Sequence, residues 1–358
     1  MNSKILFEAE LPILNNVMFA DKEKAINFTK GAVQIIDSKY GYLYNKKFNE
    51  EFLKYENNYQ NEQNFSSRFR EHLEQILNEL TPFHDKLIVE IGCGKGFFLE
   101  SAKQRGFRII GYDPTYEGNN PDIFRKNYDP EDDFDEIKSV DKERNGVLFI
   151  LRHVLEHIPE PLNYLSKLAK KARKEDLIFI EVPCLDWIVE HKAFFDFTYE
   201  HCNYFDFEGL GRQFSRIIRR RKCFGEQYMY CLAELASFKQ RKIRINEAVL
   251  EKTEQISQEL KASIEKFHCH NKNAVVWGCA GKGVMWAYHA KELNLSKNLL
   301  GFVDINPAKQ RKYAPGSGLY CYAPENIPQS AEMIIIANPN YESEIRLSTN
   351  NNYKYIVI

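Results

Sequence analysis

The sequence has no surplus of charge, no long apolar run and no early cysteine. Its 358 residues carry a net charge of −1, so composition gives no sign of binding to nucleic acid or to an anionic membrane. No apolar stretch approaches the ~20 residues that span a bilayer, and Glu8 and Glu10 interrupt the early apolar run, so no signal-peptide pattern is present. We therefore expect a cytoplasmic protein without a membrane or nucleic-acid partner.

The eight cysteines do not form a disulfide framework or a zinc knuckle. None belongs to a C-x-x-C pair, and none precedes Cys93. The tract His268-Cys269-His270 has metal-ligand residue types, but no second ligand cluster lies near it in sequence. We therefore predict no metal site.

The chain is long enough for two or three domains. Residues 1–75 are rich in Tyr and Asn and predict an irregular N-terminal arm or lid. Strands alternating with helices over 76–240 predict an α/β fold with a doubly wound parallel sheet that ends in an antiparallel hairpin. A charged linker helix over 241–270 and a second, Rossmann-like α/β domain over 271–358 follow.

Three glycines at alternate positions follow the first strand of the predicted sheet. The run Leu87-Ile-Val-Glu-Ile-Gly-Cys-Gly-Lys-Gly96 contains Gly92 and Gly94, and the next strand ends in Asp113. This E-x-G-x-G-x-G spacing differs from the G-x-G-x-x-G of dinucleotide sites, where a pyrophosphate lies on the helix N-terminus. It fits a ligand without phosphates. We expect an adenosine whose ribose hydroxyls bind Asp113 and whose amino-acid tail lies over the glycine turn.

This run resembles motif I of the class I S-adenosylmethionine (SAM) methyltransferases. The resemblance implies that SAM is the cofactor and that Glu90 and the glycines line its site. In these enzymes the loop after the fourth strand passes beneath the methyl group, which implies that the backbone of Arg152 and His153 holds the amino-acid end of SAM. The loop after the third strand usually covers the adenine, where Tyr128 would stack.

Two later segments combine histidine with other polar or aromatic residues at strand ends. His157 follows the fourth strand, and the run Tyr199-Glu200-His201 follows the fifth. A carboxylate beside an imidazole raises its basicity, and a phenol can stabilise an oxyanion, so these residues could remove a proton from carbon next to a carbonyl. The alternatives are a helix-capping role for His157 and a polar surface loop for the run.

Several segments resemble the three-domain sugar C-methyltransferases, which act on keto-deoxysugar nucleotides. The resemblance implies that His157, Glu200 and His201 are active-site residues, that Tyr59 reaches the sugar, and that the C-terminal domain helps to hold the substrate without necessarily binding NAD. Two departures stand out, the absence of the usual N-terminal zinc cysteines and the Thr198 that replaces a tyrosine two residues before Glu200. The segments are His157-Ile-Pro-Glu160, Ile180-Glu-Val-Pro183, Phe195–Phe205, Phe302–Gln310 and Ala314-Pro-Gly316.

We predict a SAM-dependent methyltransferase that C-methylates a nucleotide-linked keto-deoxysugar. His201 is expected to remove the proton next to the carbonyl, and His157 to orient the substrate or donate to the carbonyl. The alternatives are an O- or N-methyltransferase of another small metabolite and a non-catalytic scaffold with a decayed site. The intact glycines and Asp113 argue against the scaffold, because glycine is costly where it is not needed.

Overall fold

The computed structural model describes residues 4–55, 58–141, 145–268 and 270–358. Three sheets, of four, seven and five strands, form its framework. Among the described residues, no helix is both long enough and apolar enough to cross a bilayer.

The N-terminal segment contains an antiparallel sheet, so the prediction of an irregular segment is wrong. Burial alternates along its second strand, where Gly31 and Val33 are buried between more exposed neighbours. This period of two is the pattern of a half-buried strand, and the many tyrosines and asparagines around it obscured the pattern in the sequence. The elements are β1 (Phe7–Pro12), α1 (Lys22–Ile26), β2 (Lys30–Asp37) and β3 (Tyr42–Asn45).

The middle of the chain forms the predicted doubly wound sheet. Its order is β10-β11-β8-β7-β4-β5-β6, parallel except where β11 pairs with β8 and β10. The elements are α2 (Ser67–Leu80), β4 (Leu87–Ile91), α3 (Phe97–Gln104), β5 (Arg108–Tyr112), β6 (Ile123–Phe124), α4 (Asp133–Val140), β7 (Val147–Arg152), α5 (Pro161–Lys171), β8 (Leu177–Pro183), α6 (Leu185–Glu190), β9 (Asn203–Phe205), α7 (Phe207–Arg212), β10 (Ile217–Cys223) and β11 (Tyr228–Glu234).

Apolar side chains cover both faces of this sheet. Leu87 and Val89 of β4 join a core with the apolar residues of α4 and α5, whereas Ile88 joins a second core with those of α2 and α3. Buried parallel strands are apolar on both faces for this reason. The fold class predicted from the sequence is confirmed.

The C-terminal part is a five-stranded, all-parallel sheet of order β14-β13-β12-β15-β16. The linker helix α8 buries Val249, Ile256, Leu260 and Ile264 along one stripe. The elements are α8 (Glu247–His268), β12 (Ala274–Trp277), α9 (Gly281–Glu292), β13 (Leu299–Val303), β14 (Cys321–Tyr322), β15 (Met333–Ile336), α10 (Glu342–Ser348) and β16 (Lys354–Val357).

Strand β9 connects the middle of the chain to the N-terminal sheet. It pairs antiparallel with β3, Tyr42 opposite Phe205 and Tyr44 opposite Asn203. The segment that carries Glu200 lies directly before β9, so the pairing of β9 with β3 brings this segment next to the N-terminal part of the chain. One apolar core runs through all three parts and includes Val33, Phe149 and Trp286.

Candidate active site

The glycine turn lies between β4 and α3, as predicted. Gly92, Gly94 and Gly96 have φ values of 72°, 56° and 81°, in the left-handed region that favours glycine. A Cβ at Gly92 would lie 2.4 Å from Cγ2 of Val154, whereas a Cβ at Gly94 would meet nothing within 4 Å. The turn therefore closes at Gly92 against the β7 loop and leaves open space at Gly94, where an extended ligand can lie against the backbone.

Asp113 follows β5 and supports this turn. Its Oδ2 accepts a hydrogen bond from the Gly94 N–H at 2.8 Å, and its Oδ1 accepts from the N–H and hydroxyl of Thr115 at 2.8 and 2.6 Å. A carboxylate oxygen can accept two hydrogen bonds, so Oδ2 keeps room for a hydroxyl donor. Binding of the ribose by Asp113 stays a prediction, and the structure adds a second task for the same side chain.

A chain of buried charged groups runs behind the turn. Nη1 of Arg152 lies 3.6 Å from Oε1 of Glu90, and Nε of Arg152 donates a hydrogen bond to Oε2 of Glu181 at 2.9 Å. Oε1 of Glu181 lies 2.5 Å from Nε2 of His72 on α2. Burial raises the pKa of Glu90 to about 7 although Arg152 opposes the shift. The sequence did not indicate His72, which occupies the buried face of a helix.

Two residues predicted to contact the cofactor have other partners. The His153 N–H donates to the Glu181 carbonyl at 2.9 Å, so it is not available to the cofactor. Tyr128 is 6% exposed, and its ring contacts Tyr112 and Phe149 at centroid distances of 5.0 and 6.0 Å. Tyr128 is therefore a core residue, and the prediction that it stacks on the adenine is wrong because its ring faces other aromatic rings.

Glu200 connects the N-terminal segment to the strand ends. It is 2% exposed, and its Oε1 accepts from the Asn15 N–H at 2.9 Å while Oε2 accepts from the Tyr59 hydroxyl at 2.7 Å. Burial raises its pKa, and His157 opposes that shift. The structure thus brings together Tyr59 and Glu200, and it reveals Asn15, which no sequence pattern marked.

His157 and His201 face each other across this segment. Their ring centroids are 4.8 Å apart at an interplanar angle of 84°. Nδ1 of His157 lies 2.8 Å from the Glu200 carbonyl oxygen. Because a carbonyl only accepts, the neutral form of this ring carries its hydrogen on Nδ1 and its lone pair on Nε2. Burial, with a contribution from His157, lowers the pKa of His201 to about 3, so this ring is neutral at physiological pH.

Tyr199 does not belong to this cluster. Its hydroxyl accepts from the Asn49 N–H at 2.9 Å and donates to the Asn49 carbonyl at 3.2 Å, and its ring fits against Gly31. The oxyanion role predicted for Tyr199 is therefore replaced by anchoring of the N-terminal segment. Among the phenols, Tyr55 lies nearer the histidines, with its hydroxyl 3.5 Å from Nδ1 of His157.

Two groups of metal-ligand residue types occur among the described residues. Glu156, His157 and His201 offer ligand atoms within 4.8 Å of one another, as do the members of a second group, which are His72, Glu181 and Cys223. The sequence prediction of no metal site rested on cysteine spacing and did not consider either group. Cys269 of the predicted histidine-cysteine tract lies outside the described residues.

Comparison with known proteins gives two family matches. Residues 64–217 match the model of a methyltransferase domain, and residues 226–355 match the model of a C-methyltransferase C-terminal domain. Both matches agree with the predicted methyltransferase activity. No curated protein matches the chain.

Two solved structures that the chain resembles are those of methyltransferases. Human N-acetylserotonin methyltransferase in complex with SAM is 14% identical with a TM-score of 0.34, and the match covers 46% of this chain and 51% of the human enzyme. The chain thus spans about half the length of that enzyme. A SAM-dependent methyltransferase from Anabaena variabilis is 14% identical with a TM-score of 0.31, and the match covers 46% of this chain and 85% of that chain.

Proposed function

We propose that this protein, which matches a methyltransferase domain and a C-methyltransferase C-terminal domain, uses SAM to methylate a carbon atom of a nucleotide-linked keto-deoxysugar through an enolate. The supporting observation is the pair of neighbouring imidazoles, His157 after β7 and His201 just before β9, whose ring centroids lie 4.8 Å apart. A carbon acceptor has no lone pair and must first lose a proton, so C-methylation requires a base. The match to a C-methyltransferase C-terminal domain agrees with this choice.

SAM supplies an electrophilic methyl group when it is bound. The residues that would hold it are Gly94, above which the turn is open, and Asp113, whose Oδ2 can accept a further hydrogen bond. The buried pair of Glu90 and Arg152 lies beneath this turn and would stabilise the amino-acid end. The donor set fits the adenosine and amino-acid groups of SAM.

We assign the base to His157, which reverses the roles that we predicted for the two histidines. The Glu200 carbonyl fixes its tautomer with Nδ1 protonated, so Nε2 can accept the proton. His201 is a weak base because burial lowers its pKa to about 3. His201 then orients the substrate, and the Tyr59–Glu200 hydrogen bond holds the N-terminal segment in place.

We also propose that the C-terminal domain binds the nucleotide part of the substrate. Asp304 after β13 has the arrangement of Asp113, because Oδ2 accepts from the Cys279 N–H and Oδ1 from the Asn306 N–H, both at 2.8 Å. A Cβ at Gly278 or Gly281 of the adjoining turn would meet nothing within 4 Å. This open turn supports binding of a small molecule. We propose no membrane or nucleic-acid partner and a cytoplasmic location.

Solvent exchange at the carbon next to the carbonyl tests the enolate. The full-length protein is incubated in D2O with S-adenosylhomocysteine and candidate keto-deoxysugar nucleotides, and deuterium uptake is followed by NMR. We expect uptake with the true substrate and a 10²–10⁴-fold loss of exchange in His157→Asn, the usual range for loss of a general base. His191→Asn, which changes an exposed histidine that stacks on Trp187, is the control and should keep the wild-type rate.

Two results would change the proposal. If His201→Asn abolishes exchange while His157→Asn retains it, His201 is the base, as the sequence first indicated. If methyl transfer proceeds but no substrate exchanges a carbon-bound proton, the acceptor is oxygen or nitrogen, and the enolate is wrong.

A further inference from the structure

Glu156 is a buried acid that the proposed reaction does not use. It is 1% exposed and lies in the short turn Leu155–His157 directly after β7. Among the described residues, neither of its carboxylate oxygens accepts a hydrogen bond, and Nδ1 of His153 is 3.4 Å from Oε1. A buried carboxylate without hydrogen bonds is costly unless a cation satisfies it.

Two imidazoles complete a possible ligand set around this acid. Glu156, His157 and His201 each offer one ligand atom, and these atoms lie within 4.8 Å of one another. Nδ1 of His157 is directed at the Glu200 carbonyl, which leaves Nε2 as the ring nitrogen that can bind an ion. Histidine ligands of metals characteristically donate their other N–H to such a carbonyl, which fixes the ring and the tautomer.

We propose that Glu156, His157 and His201 form a binding site for a divalent transition-metal ion such as Zn²⁺, Co²⁺ or Fe²⁺. Nitrogen ligands favour these ions over Mg²⁺ and Ca²⁺, which prefer oxygen. Three protein ligands leave coordination positions for water or a substrate oxygen. In the proposed mechanism the Nε2 lone pair of His157 accepts the proton of the substrate. A bound ion would occupy that lone pair, so metal binding should slow turnover.

The second group is a poorer candidate. In the group of His72, Glu181 and Cys223, Oε2 of Glu181 already accepts from Arg152 at 2.9 Å and Oε1 already lies 2.5 Å from His72. A guanidinium so close repels an incoming cation. This group therefore serves as an internal comparison in the test.

Titration of the full-length, chelator-treated protein with Co²⁺ tests the site, because Co²⁺ bound by nitrogen and oxygen absorbs visible light. We expect one saturable site per chain that Zn²⁺ displaces, and at least about tenfold weaker binding in Glu156→Gln and in His201→Asn. Cys223→Ser and His270→Asn are matched controls that change the other cysteine- and histidine-containing groups, and they should bind Co²⁺ as the wild type does. A SAM-induced rise in melting temperature verifies that each variant is folded.

The Co²⁺ titration does not depend on the identity of the methyl acceptor, so the metal site can be disproved while the proposed function holds. Failure of the wild type to bind Co²⁺ saturably would overturn the site. So would unchanged affinity in both Glu156→Gln and His201→Asn, or a thiolate charge-transfer band that disappears in Cys223→Ser. If Glu156→Gln does not fold, His201→Asn alone decides.

Discussion

Asp113 and Asp304 hold two glycine turns in the same manner. In each case, one carboxylate oxygen accepts a hydrogen bond from the N–H of a residue in the turn. The other oxygen accepts one from the N–H of the residue two positions after the aspartate. The two parallel sheets therefore contain the same local device, and only the first is proposed to bind SAM. Asp304 therefore provides a matched control for Asp113 at the proposed cofactor site.

Asp113→Ala should weaken SAM binding by roughly 1.5–3 kcal/mol, because it removes an ionised acceptor and releases the Gly94 N–H. Isothermal titration calorimetry measures the change. Asp304→Ala, which alters the equivalent residue of the C-terminal sheet, should leave SAM affinity as in the wild type. An equal loss in both variants would mean that general destabilisation, not the cofactor contact, causes the effect.

At the residue scale, the sequence predicted positions better than side-chain directions. The glycine turn was predictable because the spacing of glycines fixes backbone conformation. Tyr199 and Tyr128 were misassigned because a sequence does not tell which way a phenol points. The Tyr199 hydroxyl binds the backbone of Asn49, and the Tyr128 ring packs in the aromatic core. Glu156 carried no signal, since an acid next to a histidine in a turn is usually exposed.

The helix α7 begins with a buried acid. Asp206 is its N-cap, and its side chain accepts from the Gly209 N–H. Burial, together with the charges of Asp186 and Glu208, raises the pKa of Asp206 to about 7. The folded protein therefore holds a proton there more tightly than the unfolded chain, and this contribution to stability is lost as pH rises from about 4 to 7.

Asp206→Asn keeps a capping side chain but removes the charge. Its melting temperature, relative to the wild type, should increase as pH rises from about 5 to 8, by an amount equivalent to at most about 3 kcal/mol. Differential scanning calorimetry at several pH values measures this. Asp21→Asn, at the exposed N-cap of α1, is the control for replacing a capping carboxylate by an amide. A constant difference for Asp206→Asn would contradict the raised pKa.

The N-terminal sheet depends on the hydrogen bond between Tyr59 and Glu200. Tyr59→Phe leaves Oε2 of a buried carboxylate without that donor, which should cost about 1–3 kcal/mol. Hydrogen exchange of the β1 and β2 amides should accelerate accordingly. Tyr44→Phe is the control in the same sheet, because the Tyr44 hydroxyl forms no hydrogen bond within the described part of the chain. Equal acceleration in the two variants would contradict the role of Glu200.

At the element scale, the sequence predicted the parallel sheets and missed the antiparallel one. Buried parallel strands are continuous apolar runs such as β4, which stand out in any sequence. The N-terminal strands are half-exposed, and β9 has only three residues with its partner far away in the chain. Pairing between such distant segments leaves no local pattern.

The C-terminal and middle parts of the molecule share a buried ion pair. Lys282 of α9 pairs with Asp196 of the middle part, and both side chains are only 12–13% exposed. The ammonium lies 5.1 Å from the Trp187 ring centroid, so it is enclosed by aromatic residues as well. Tyr288 of the same helix donates to the Glu10 carbonyl at 2.9 Å, which ties the C-terminal part to β1.

Lys282→Met should destabilise the protein by about 3–5 kcal/mol, because it leaves a buried carboxylate unpaired. Urea denaturation followed by tryptophan fluorescence measures the loss. The double variant Lys282→Met/Asp196→Leu should recover most of it, since it removes both charges. A double variant no more stable than Lys282→Met would mean that packing, not charge, holds the two parts together.

The pairing of β3 with β9 has a consequence for how the chain is made. A ribosome releases residues 42–45 well before residues 203–205, so the N-terminal sheet waits with an unpaired edge while the intervening segment is synthesised. Open edges recruit other strands, which makes the nascent chain vulnerable to aggregation during that interval. Glu200 and His201 emerge immediately before β9. Closure of the edge and assembly of the reaction centre are therefore one late event in biosynthesis.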